Sequence, residues 1–95
     1  MKVELTEPAF KDLENTLESY ADQGVPEQGR RLAAELLQKS ERLAKYPESG
    51  RIVPEFSVPF LRELIVPPYR LVYKIEPKNI LIIRVWRSER LLKLD

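Results

Sequence analysis

Among the cations in the last third of the chain are Arg70, Lys74, Arg84, Arg87 and Arg90. Side chains of this type hold phosphates and stabilise the charge that builds on phosphorus during phosphodiester cleavage. The chain has no histidine and no cysteine. The commonest general base and the thiolate nucleophile are therefore absent, and proton transfer would fall to tyrosine or lysine. The tyrosines are Tyr20, Tyr46, Tyr69 and Tyr73, and packing is the simpler role for each. Ser88, beside Arg87 and Arg90, reads as a helix cap. The three glycines are dispersed, so no phosphate-cradling loop is present, and no residue spacing suits a metal. No cofactor or metal is expected.

The elements that must position these cations lie between Phe60 and Arg87. Leu61–Val66, Tyr69–Glu76 and Ile80–Arg87 are rich in Val, Ile, Leu and Tyr, as half-buried strands are. Pro67-Pro68 and Glu76-Pro77-Lys78-Asn79 separate them. Connections this short join only antiparallel neighbours, so the region reads as a meander. Alternation places Tyr69, Leu71, Tyr73 and Ile75 on one face and Arg70, Val72, Lys74 and Glu76 on the other. In the last strand strict alternation puts Leu81, Ile83 and Val85 inward and Ile80, Ile82, Arg84 and Trp86 outward. The outward face then mixes Arg70, Lys74 and Arg84 with Ile82 and Trp86. Those apolar residues are either an interface or a surface covered by the C-terminal tail.

Upstream, Met1–Leu5 is a short strand candidate. Thr6 suits a helix N-cap, with Glu7 and Pro8 in the first turn. Phe10, Leu13, Leu17 and Tyr20 make one helical stripe, and Gly24 is placed to end it. Pro26 opens a second helix whose apolar side is Leu32, Ala33, Leu36, Leu37, Leu43 and Ala44, ending near Tyr46 before Pro47. Arg51–Phe56 is a short edge strand or irregular segment, since Pro54 argues against a central one. The expected fold class is α+β: an N-terminal strand and an antiparallel two-helix hairpin packed on a C-terminal antiparallel meander of three to four strands. The core is expected from Phe10, Leu13, Leu17, Leu32, Leu36, Leu43, Leu71, Tyr73, Leu81, Ile83 and Val85.

Ninety-five residues suit one domain, 1–95. The formal charge of +1 hides an asymmetry. Residues 62–95 carry eight Lys/Arg against four Asp/Glu, and residues 1–61 carry eight against eleven. A basic sheet and an acidic helical half attract partners of mixed charge. The apolar runs are too short to span a bilayer, and the start lacks a signal-peptide core. A cytoplasmic location without membrane attachment is expected.

Four strings resemble the RelE/ParE superfamily of bacterial type II toxin–antitoxin toxins. They are Pro47-Glu48-Ser49-Gly50-Arg51, Arg62-Glu63-Leu64, Tyr69-Arg70-Leu71-Val72-Tyr73-Lys74-Ile75 and Arg84-Val85-Trp86-Arg87-Ser88-Glu89-Arg90. Their order matches as well, and the resemblance covers essentially the whole chain. It implies growth inhibition, in one of two ways. RelE-like members cut messenger RNA on the ribosome; ParE-like members poison DNA gyrase. Of the RelE-type catalytic set only Arg70 is clearly matched here. Leu61 and Glu63 fall near expected lysines, Ser88 near an expected arginine with Arg87 and Arg90 close by, and Leu94 near an expected tyrosine. The resemblance therefore favours the ParE-like branch, with Arg70, Arg87 and Arg90 as the catalytic candidates if the chain is instead a nuclease. Target contact is expected at the basic end of the sheet and the tail, through Arg84, Trp86, Arg87 and Arg90. The resemblance also implies a cognate antitoxin, for which Ile82, Trp86, Arg70 and Lys74 are the candidate contacts. DNA is expected only indirectly, through the antitoxin.

Overall fold

A computed structural model describes residues 1–88. The elements are β1 (Lys2–Leu5), α1 (Glu7–Asp22), α2 (Pro26–Glu41), a 3-10 turn (Arg42–Ala44), β2 (Arg51–Ile52), β3 (Leu61–Val66), β4 (Tyr69–Ile75) and β5 (Asn79–Arg87). One five-stranded sheet runs in the order β1-β5-β4-β3-β2. β3, β4 and β5 form the antiparallel meander. β1 adds to it in parallel, pairing Lys2–Leu5 with residues 79–82 of β5. β2 is a two-residue edge on β3. The C-terminal tail, Arg90 and Leu94 included, lies outside the described residues.

The helix boundaries follow from local chemistry. The Thr6 hydroxyl accepts the Ala9 N–H at 3.3 Å, and Pro8 sits in the first turn. Gly24 takes φ +81°, a backbone that residues with a Cβ seldom adopt, just past the end of α1. α2 gives way to the tighter 3-10 turn before Pro47.

The helices cover one face of the sheet. Ala9, Leu13, Leu36 and Leu43 pack on Val66, Tyr69, Leu71, Tyr73, Ile80, Ile82 and Val85. Two expectations fail here. The buried stripe of α1 is Ala9, Leu13, Thr16 and, partly, Tyr20, so Phe10 and Leu17 stay exposed. Small Ala9 faces the sheet, and the helix is rotated from the larger stripe. In β5, Ile80 and Ile82 are buried under the helices, whereas Leu81 and Ile83 are only partly buried. The cause is a β-bulge. Tyr73 pairs with Ile82 but Val72 pairs with Arg84, leaving Ile83 as an extra residue. A bulge inverts the inward parity on either side of it. Ile82 and Val85 therefore both face the core, which strict alternation forbids.

The opposite face carries a smaller apolar cluster. Val53, Leu61 and Val72 are its centre, with Val58, Ile83 and Trp86 against it. The segment joining β2 to β3 supplies Val53 and Val58 to this cluster.

Ile82→Ala and Leu71→Ala are expected to lower unfolding free energy by about 2–5 kcal/mol each, the range for emptying a packed site. Leu81→Ala should lose clearly less. Chemical denaturation measures all three, and equal losses at Leu81 and Ile82 would contradict the bulge.

Candidate functional site

Arg70 sits on the sheet face away from the helices, as alternation places it. Yet it is only 5% exposed, and acids surround it. Its Nε donates to Glu63 Oε1 at 2.7 Å, and its Nη2 also contacts that oxygen. Its Nη1 and Nη2 donate to the two oxygens of Glu55 at 2.9 and 3.0 Å. The hydrogen bonds to Glu55 first, and then the contacts with Glu63, hold the guanidinium above its ordinary pKa. Glu63 follows from β3 alternation: Leu61, Glu63 and Ile65 share the face of Arg70. Its side chain is fully buried and also accepts from Arg51 Nε at 2.5 Å. Glu55 comes from the β2–β3 connection. Sequence reasoning singled out Glu63 and Arg51 in the family-like strings but not as partners of each other or of Arg70, and it overlooked Glu55. The pairing of Arg51 with Glu63 across β2 and β3 becomes visible only with the register.

A second cluster lies at the end of β5. Past Leu5, β1 no longer covers the β5 edge, and α1 takes its place. Thr6 N–H and hydroxyl both donate to Ile82 O at 3.0 Å, and the hydroxyl also reaches Ile83 O at 3.2 Å. Asp12 accepts the Val85 N–H at 2.9 Å and grips Arg84 through Nε at 2.8 Å and Nη2 at 2.9 Å. That hydrogen bonding raises the Arg84 pKa above its ordinary value. The Arg84 guanidinium also lies 4.4 Å from the centre of the Trp86 ring, and Arg87 lies 5.8 Å from that of Tyr69. Asp12, Asn15, Tyr69, Arg84, Trp86 and Arg87 line an open cleft of about 370 Å³.

The structure thus brings Arg84, Trp86 and Arg87 together and sets Arg70 apart under its own acids. Ile82, named as an antitoxin contact, is 1% exposed in the helix-side core and offers no surface to a partner. Lys74 is half exposed, 3.6 Å from Glu76 and over the Phe60 ring at 5.9 Å.

The Pro47–Gly50 turn is fastened by Tyr73. Its hydroxyl donates to Pro47 O at 2.7 Å and accepts the Gly50 N–H at 2.9 Å. A Cβ on Gly50 would lie 2.6 Å from Glu63 O and 2.7 Å from the Tyr73 hydroxyl, so only glycine fits. Burial pushes the Tyr73 phenol above its ordinary value.

With this geometry in view, the comparisons with known proteins agree. Residues 3–92 match the family model described as the ParE toxin of the type II toxin–antitoxin system parDE. The chain belongs to the ParE toxin family. A relative named Toxin RelE2, from Caulobacter vibrioides, is 34% identical over 84 residues, spanning 87% of this chain and 90% of the relative. A chain of the solved structure described as the chromosomal ParDE TA system of P. aeruginosa superposes with a TM-score of 0.79 at 24% identity. That match covers 94% of this chain and 97% of the other, and establishes the shared fold. The strings Tyr69–Ile75 and Pro47–Arg51 meet in this toxin at the Tyr73–Gly50 clasp and, bridged by Glu63 of a third string, in the Arg70–Glu63–Arg51 network.

Two outcomes are expected in stability measurements. Glu63→Gln should lose about 3–5 kcal/mol, because it breaks a buried ion pair and leaves a charge behind. Tyr73→Phe should lose about 1–3 kcal/mol by orphaning buried backbone groups. The tyrosine also sets a pH trend. Its raised folded-state pKa favours the protonated fold, so its contribution is intact below the ordinary tyrosine value of 10.0 and fades as pH rises through the folded value. Wild-type melting should therefore fall more steeply above pH 10.0 than that of Tyr73→Phe, as thermal scans across alkaline pH would measure.

Proposed function

We propose that this toxin inhibits DNA gyrase by protein–protein contact and is neutralised by a cognate antitoxin. One observation carries the reading: Arg70, the clearly matched member of the nuclease set, is neutralised by Glu63 and Glu55 in a nearly buried site. A scissile phosphate entering there would meet two carboxylates, and both nearby cations, Arg70 and Arg51, are already paired with them. Cleavage also needs proton transfer at the attacking and leaving oxygens, and Glu63 stands where a lysine would serve it. A binding protein, in contrast, needs a shaped surface with aromatic and arginine anchors. The β5 end offers Trp86 and Arg87 for that role, with Arg84 held in place by Asp12. The antitoxin would share this face, reaching Trp86 and Lys74. The named relative Toxin RelE2 supports the second reading, a ribosome-dependent messenger RNA interferase. In that case Arg87 and Arg90 would have to serve the phosphate.

Two assays separate the readings. Purified toxin is expected to inhibit gyrase supercoiling and to leave messenger RNA on translating ribosomes uncut by primer extension. Arg87→Glu is expected to weaken gyrase inhibition about tenfold, the scale of one interface anchor. Codon-specific cuts with normal supercoiling would overturn the proposal.

A further inference from the structure

The C-terminal end of α2 carries a charged surface that neither cluster above involves. Lys39, Arg42 and Lys45 recur every three residues through the last turn of α2, the 3-10 turn and the residue that caps it. Three residues advance 300° in an α-helix and a full circle in a 3-10 turn. The three cations therefore share one side. With Tyr46 they line a groove of about 560 Å³, to which Gln38 and a single acid, Glu41, also contribute. All four residues are exposed, Tyr46 at 58%. Among the described residues, none of the three cations is ion-paired to a carboxylate, although Glu35 lies four positions before Lys39. Lys45 instead rests 5.8 Å from the Tyr46 ring centre.

A cation or two in the last turn would complement the helix dipole. Here only Lys39 lies in that turn, Arg42 and Lys45 follow beyond α2, and an exposed aromatic ring accompanies them. We propose that this groove binds a single nucleic-acid strand, with phosphates on Lys39, Arg42 and Lys45 and a base stacked on Tyr46. The rise of the two helix types separates successive cations by about 4.5–6 Å. A stacked strand advances about 3.4 Å per nucleotide, so each cation meets one phosphate in every one or two. An acidic polypeptide could satisfy the cations but has no need of an exposed tyrosine ring, whereas every base has a face to stack. This contact goes past the expectation that DNA is reached only through an antitoxin. It is also independent of whether gyrase is the target, because the groove shares no residue with the β5 cleft.

Fluorescence anisotropy of full-length toxin with labelled DNA and RNA oligonucleotides of about ten nucleotides tests the proposal. Binding by either strand type is expected, with a log–log salt slope near about −2 for three phosphate contacts. Lys39→Ala/Arg42→Ala/Lys45→Ala should lose at least about tenfold affinity and most of the slope. Lys39→Arg/Lys45→Arg should retain both. Tyr46→Leu should lose about five- to hundredfold with the slope unchanged. Absent oligonucleotide binding, an undiminished triple variant, or polyglutamate that competes equally with no dependence on Tyr46 would each overturn it.

Discussion

A carboxylate with no solvent exposure governs the face of the sheet turned away from the helices. Glu63 cannot stay charged there without cations, and Arg70 and Arg51 supply them. Arg70 in turn brings down Glu55, and with it the segment that joins β2 to β3. Val53 and Val58 from that segment close over Leu61 and Val72. One buried acid thus orders an edge strand, a loop and a minor core. Among the described residues no buried side-chain nitrogen or oxygen lacks a partner, which is what such a network requires in order to be tolerated.

The other organising device is the bulge in β5. It turns Ile80, Ile82 and Val85 toward the helices and leaves Ile83, Arg84 and Trp86 for the opposite face and edge. Its backbone groups sit where β1 has run out, and Thr6 and Asp12 of the helical half complete them. The same carboxylate that closes the edge also fixes Arg84. Fold and candidate interface are therefore built from one set of bonds, and the arginine is held in place before any partner arrives.

Local signals in the chain were enough for the elements themselves. Thr6, Gly24, Pro26 and the two turns of the meander marked boundaries that the structure reproduces within a residue or so. The facing of β4 followed from alternation alone. What escaped was non-local. No periodicity reveals an inserted residue, so Ile82 was assigned outward and Leu81 and Ile83 inward. Phe10 and Leu17 outweigh Ala9 in any hydrophobic count, yet close approach of a helix to a sheet favours the small side chain. The partners of Arg70 come from two other segments, 7 and 15 residues away. An arginine that looked like a phosphate ligand was therefore legible as a cation but not as a neutralised one.

The proposed inhibition by contact rests on the neutralised state of Arg70. The most direct measurement is NMR of the Arg70 guanidinium in the folded toxin, titrated with a short messenger-like RNA. A guanidinium held by Glu63 and Glu55 should show an Nε–H signal protected from solvent exchange and unmoved by the RNA. Rapid exchange, or a shift of that signal that saturates with the RNA, would show Arg70 available to phosphate and contradict the account.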